Sequence, residues 1–227
     1  LSSCKPKLEK AFQEEQSIQR LSSITVEEDI QNSTKSFAKD LAIPSDTSAQ
    51  IQDMDAEYFL LVEEDGKEGD RAISFNHPYD RTYPATKLMT ALVCVSSVEN
   101  LDQEFVVSGS SVIKEAGSST AFLQVGESLS IRNLLYGMLL PSGNDAAVAV
   151  AEASAGSVPA FVEKMNEKAL ELGCLSSHFT NPHGLPDDNH YTSPYDIYLI
   201  LKECMKYDSL REILATKEIQ VQYKDKN

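Results

Sequence analysis

Leu139-Leu140-Pro141-Ser142-Gly143-Asn144-Asp145-Ala146-Ala147 sets a Ser-x-Asn pair on a tight turn between two apolar helices. Upstream, Ile131, Leu134, Leu135, Met138 and Leu139 fall at i, i+3, i+4, i+7 and i+8, one stripe of an amphipathic helix that Pro141 stops. Downstream, an Ala/Val-rich helix is expected from Asp145 to about Ala153, closed by Gly156. Ser157 with Pro159 opens the next helix and Gly173 ends it after Leu172; Ser193-Pro194 starts another, carrying Ile197, Leu201 and Cys204. Earlier in the chain, Lys87-Leu88-Met89-Thr90-Ala91-Leu92-Val93-Cys94-Val95 is apolar on nearly every side, which predicts a central, buried helix.

Strand signals flank this helical block. Tyr58-Phe59-Leu60-Leu61-Val62 is short, apolar and β-prone; the charged turn Glu64-Asp65-Gly66-Lys67-Glu68-Gly69-Asp70 follows, and Arg71-Ala72-Ile73-Ser74-Phe75 reads as the return strand of a hairpin. Glu218-Ile219-Gln220-Val221-Gln222-Tyr223 alternates like a further strand. Two strands, a block of helices and then a strand indicate α+β. A lone hairpin is marginal by itself, so more strands are expected beside it.

A net charge of −15 over 227 residues argues against a nucleic-acid partner, which would want a basic face. No apolar run approaches the roughly 18 residues of a membrane-spanning helix. Leu1-Ser2-Ser3-Cys4 is similar to the tail of a bacterial lipobox, with Cys4 the residue that would carry the lipid; a chance cysteine is the bland alternative. Residues 1–55 are read as this lipobox remnant and a polar tether, partly helical or disordered, or else a helical cap on the domain. Cys94, Cys174 and Cys204 have apolar neighbours and no CxxC or Cys/His spacing, so buried free thiols are expected rather than a zinc site.

Two further clusters carry polar chemistry. Phe179-Thr180-Asn181-Pro182-His183-Gly184-Leu185-Pro186 is a second polar turn. His183, Asp187, Asp188 and His190 invite a metal reading, but a solvated loop built on Asn181-Pro182 and Gly184-Leu185-Pro186 is the better account, and no metal is assigned. By itself Ser142-Gly143-Asn144 can be a turn whose polar side chains cap the following helix. Its flanks, Leu134 to Pro141 before and Asp145-Ala146-Ala147 after, favour a functional turn.

Together with Pro84-Ala85-Thr86-Lys87, these motifs resemble those of the D-alanyl-D-alanine carboxypeptidases, the low-molecular-weight penicillin-binding proteins of the β-lactamase/transpeptidase-like superfamily. The resemblance covers roughly residues 57–223. It implies an antiparallel main sheet whose strands come from both ends of the domain, with a helical subdomain inserted between them. Residues 56–227 then form the N-terminal part of a truncated catalytic domain, with the C-terminal strands missing. The implied activity is serine-type carboxypeptidase action on peptidoglycan stem peptides through an acyl-enzyme, without a cofactor and with β-lactams as inhibitors. Outside the cytoplasm, lipid on Cys4 would provide a membrane anchor. Lys87 matches the family lysine that acts as base, its pKa lowered by its surroundings. Ser142 takes the proton-relay role, hydrogen-bonded to Lys87, and Asn144 binds the substrate backbone.

One departure stands out. Relatives read Pro-Ala-Ser-x-Thr-Lys where this chain has Pro84-Ala85-Thr86-Lys87, and three residues before Lys87 lies Pro84, which has no nucleophile. Thr86 is adjacent to Lys87, so on a helix its hydroxyl points about 100° away from the amine. Either a two-residue deletion has removed the turn that presents the serine, or two residues of the molecule are missing from the sequence as written. The family's Lys-Thr-Gly triad is also absent from the sequence. A catalytically inactive, lipid-anchored wall-binding homologue is therefore the alternative to an active enzyme. A class A β-lactamase fits less well, because Gly143 stands where that family tends to carry Asp and no deacylating Glu loop is evident.

Overall fold

The computed structural model describes residues 43–44, 56–63, 71–78, 80–82, 85–113 and 118–224. Cys4, nearly all of the 1–55 segment, the 64–70 turn, Pro84 and Gly117 lie outside the described residues.

Among the described residues five helices pack around a sixth. Helix α1 (Thr86–Ser97) buries Met89 to Cys94 without interruption and touches all five others, as its all-round apolar surface predicts. The other helices are α2 (Ile131–Leu139), α3 (Asn144–Ala155), α4 (Val158–Leu172), α5 (Pro194–Cys204) and α6 (Asp208–Ala215). Helix α2 buries the stripe Ile131, Leu134, Leu135 and Met138, and Ser130 caps it by accepting the Asn133 N–H. Helix α3 is buried from Asn144 to Ala151; its alanines let it lie close against α1, α2 and α4. Helices α4 and α5 start on Ser157 and Ser193, whose hydroxyls accept from Ala160 and Asp196, each with proline in the first turn. Gly156 and Gly173 end α3 and α4 in left-handed conformations. Cys94, Cys174 and Cys204 are free and buried, and desolvation pushes their thiols up to about 11, 12 and 12.

The expected hairpin is formed by β2 (Phe59–Glu63) and β3 (Arg71–Asn76), antiparallel with an irregularity between Leu61 and Val62. Strand β1 (Ile43–Pro44) pairs with β3 in parallel, so the sheet is mixed, in the order β1-β3-β2. Two residues of the segment read as a tether therefore join the sheet. A second ribbon pairs β4 (Glu104–Val106) with β5 (Ser128–Ser130). The architecture is α+β, as expected.

The tail differs from its expectation. Residues 218–223 form no strand; Lys224 makes a single antiparallel bridge with Ser128, and Asn133 Nδ2 donates to the Gln222 carbonyl at 3.0 Å. Alternation in Glu218–Tyr223 reflects partial burial of Val221 against the core, not a continuous ladder. Among the described residues no single helix is long and apolar enough to cross a membrane.

Candidate active site

The start of α1 has no side-chain cap. Its N-cap is Ala85, whose carbonyl accepts the Leu88 N–H at 3.1 Å but whose side chain offers no acceptor to the first turn. The 178–192 loop holds that turn from the side. Thr82 and Thr192 exchange backbone hydrogen bonds at 2.7 and 3.0 Å, which ties the approach to α1 onto the loop's end. Thr90 Oγ1 donates to the Pro182 carbonyl at 2.7 Å, and Thr86 Oγ1 lies 2.6 Å from His190 Nε2. Gly184 passes so close that a Cβ there would sit 3.1 Å from Thr86 Oγ1, and its φ of +91° favours glycine independently.

Lys87, on the second residue of α1, points into the cleft between this loop and the Ser-x-Asn turn. Its amine donates to Asn144 Oδ1 at 2.7 Å and to the His183 carbonyl at 2.6 Å. Asn144 Nδ2 donates in turn to Ser118 Oγ at 2.7 Å. Desolvation lowers the Lys87 pKa, the direction a lysine base requires. The hydrogen-bonded chain from Lys87 through Asn144 to Ser118 spans three separate segments.

Ser142 occupies a different place from that expected. It is exposed, sits in the left-handed region with φ 61°, and makes no hydrogen bond among the described residues. The amine goes to Asn144, because Asn144 opens α3 and its side chain faces inward while Ser142 forms the outer corner of the turn. Gly143 is buried between them. A Cβ there would lie 2.6 Å from the Gly137 carbonyl oxygen and 2.9 Å from Ala121, so the turn closes only on glycine. Beneath it, the Asp145 carboxylate accepts from Thr120 Oγ1, Ala121 N, Leu123 N and Ala146 N at 2.6 to 2.9 Å. This fixes the 118–123 strip that carries Ser118.

Neither Ser118 nor Asp145 had an assigned role in the sequence. Nothing local in the sequence says that Ser118 would meet Asn144 across 26 positions. The His and Asp cluster resolves into turn contacts: Asp187 accepts from Asn189 N, His183 Nδ1 from Leu185 N, and His190 spans Thr180 and Thr86.

His183 gives this region a pH dependence. Burial, reinforced by the nearby Lys87 amine and His190, pushes its pKa down from 6.5 to about 4. As pH falls below 6.5 the unfolded chain takes up a proton that the folded one holds off until about 4. Stability is therefore complete above about pH 6.5 and is lost between 6.5 and 4, by about 2 kcal/mol once partial solvent screening is allowed for. Urea unfolding at both ends of that window should show the loss, and His183→Gln should flatten it. An unchanged slope in the variant would assign the dependence elsewhere.

The chain matches the D-alanyl-D-alanine carboxypeptidase family over residues 45–227. The D-alanyl-D-alanine carboxypeptidase DacF of Bacillus subtilis is 39% identical over 143 residues, covering 61% of this chain and 37% of that protein. DacA of Escherichia coli is 34% identical over 162 residues, covering 66% and 39%. The chain spans about a third to a half of the length of the curated relatives it matches. Among solved structures, a mutant Streptomyces DD-transpeptidase superposes with a TM-score of 0.71 at 28% identity, covering 78% of this chain and 71% of that one. A D-alanyl-D-alanine carboxypeptidase from Mycobacterium tuberculosis gives 0.68 at 29%, covering 77% and 65%.

Proposed function

The chain belongs to the D-alanyl-D-alanine carboxypeptidase family, and on that premise we propose that its cleft takes the D-alanyl-D-alanine end of peptidoglycan stem peptides as a serine-type carboxypeptidase does. In this reading Lys87 is the base, Asn144 binds the peptide backbone, and the exposed Ser142 turns inward as proton relay when substrate fills the cleft. The reaction runs through an acyl-enzyme, and penicillins acylate the same nucleophile. The observation that carries the reading is the half-buried Lys87 amine at 2.7 Å from Asn144, with a depressed pKa. The site of action is outside the cytoplasm, with the protein anchored through lipid on Cys4.

One observation favours a second reading, in which the lipid-anchored protein recognises wall peptides without turning them over. Among the described residues no side-chain hydroxyl bonds to Lys87, and the Thr86 hydroxyl is engaged by His190. Serine acyl transfer needs a hydroxyl within reach of its base. Intact-mass measurement of the full-length protein after incubation with a penicillin separates the two. A gain of one penicillin mass supports the enzyme. An unchanged mass, with saturable binding of a D-alanyl-D-alanine peptide, supports recognition alone, and absence of both outcomes would overturn the proposal.

A further inference from the structure

His190 is 6% exposed and belongs to neither the base nor the substrate-binding group. Its two ring nitrogens have unlike neighbours. Nδ1 lies 2.9 Å from the backbone N–H of Thr180, which can only donate. Nδ1 must therefore present a lone pair, and the single proton of the neutral ring sits on Nε2. That nitrogen faces Thr86 Oγ1 at 2.6 Å, so the imidazole donates and the threonine hydroxyl accepts. The Thr180 hydroxyl, 3.2 Å from the same nitrogen, can donate to that lone pair as well, whereas an imidazolium would set an Nδ1–H against the closer Thr180 N–H at 2.9 Å.

This polarity has two consequences. The Thr86–His190 pair cannot work as a nucleophile with its general base, because the nitrogen facing the hydroxyl already carries a proton and has no lone pair to receive another. The pair instead ties the uncapped start of α1 to the 178–192 loop. With Ala85 as N-cap, the first turn has no side-chain acceptor of its own, and a helix end in that condition frays. Thr86 is 2% exposed and directly precedes Lys87, so fixing its side chain fixes the backbone from which the amine projects.

We infer that His190 is a positioning residue: as a neutral Nε2–H donor to Thr86 it locks the first turn of α1 and holds the Lys87 amine against Asn144 and the His183 carbonyl. The loop that carries His190 also supplies that carbonyl, so both ends of the arrangement move as one piece. Phe179 meets the His190 ring edge-on at 5.8 Å and keeps it upright. Asn166 holds Phe179 from both sides, accepting its N–H at 2.9 Å and donating to its carbonyl at 2.8 Å. On its open side His190 lines a cavity of about 680 Å³ with Arg81, Asp187 and Tyr191. The inference rests on the reading of Lys87 as the working amine.

Its test reads Lys87 itself and needs no turnover. Competitive labelling of amines with acetic anhydride across pH, quantified on the Lys87 peptide of the full-length protein, gives the apparent pKa of that amine. Thr86→Val keeps shape but removes the acceptor, and should raise this value by about half a unit or more towards that of an ordinary lysine. Thr86→Ser keeps the hydroxyl and should leave it at the parental value. Equal values in all three proteins would overturn the inference. Nitrogen-15 NMR of the imidazoles in the unmutated protein provides a measurement independent of how the variants fold. His190 should show a protonated Nε2 and a bare Nδ1 at neutral pH; the opposite tautomer would overturn the inference. A parental Lys87 value that is not depressed would instead count against the reading of Lys87 as a base.

Discussion

Replacing Asp145 with alanine is expected to destabilise the fold by about 3–5 kcal/mol. The side chain is buried and its two oxygens accept four hydrogen bonds, from Thr120 Oγ1, Ala121 N, Leu123 N and Ala146 N. Truncation would strand those donors away from water. Each unsatisfied buried donor costs about 1–3 kcal/mol, offset in part by loop relaxation and entering water. Asparagine preserves one acceptor oxygen but turns an amide nitrogen towards backbone N–H groups, so Asp145→Asn should lose an intermediate amount. Urea unfolding of the three proteins checks this order, and a loss below about 1 kcal/mol for alanine would show that the 120–123 strip relaxes without its anchor. The same substitution should reach the cleft. Ser119 accepts the Asn144 N–H at 2.9 Å and Ser118 accepts from the Asn144 side chain, so loosening the strip removes support from the residue that holds Lys87.

What the sequence disclosed follows the range over which each signal acts. The stripe of α2, the all-round apolarity of α1 and the Ser-Pro and Gly boundaries of α4 and α5 are local, and they mark elements where the structure has them. Helix α6 has only eight residues and buries only Leu210 and Ile213, too little for a periodic pattern. Strands β4 and β5 have three residues each, and β1 has two. Lys87, Ser142 and Asn144 were legible as motif residues. Which of them touch was not, because the inward turn of Asn144 depends on Gly143 packing against Gly137 and Ala121. His190 looked like one polar residue in a loop. Its role comes from Thr86, 104 positions away, and no spacing rule covers that distance.

Inserting a serine and one further residue between Ala85 and Thr86 is expected to raise penicillin acylation of the full-length protein by at least about 10³-fold over the protein without the insertion. Losing the catalytic serine in a serine hydrolase costs on the order of 10⁶ in turnover, and a restored nucleophile in imperfect surroundings should recover part of that. The insertion puts the new hydroxyl three residues before Lys87, one helical turn away on the same face. It leaves the Lys87 contacts to Asn144 and His183 and the Thr86 contact to His190 in place, since all lie downstream of the new residues. The added turn must fit between Thr86 and the Thr82–Thr192 bridge, where the chain leads into an uncapped helix start. Labelling should map to the inserted serine and disappear when that serine is made alanine. If the unmodified protein labels just as fast, a hydroxyl already within reach of Lys87 is the nucleophile. Ser142 and Ser118 are then the residues to mutate, because one flanks Asn144 on the turn and the other accepts its amide. If neither form labels, the groups aimed at the developing oxyanion are what the cleft lacks, since a serine placed beside a desolvated lysine supplies only the attacking half of acyl transfer.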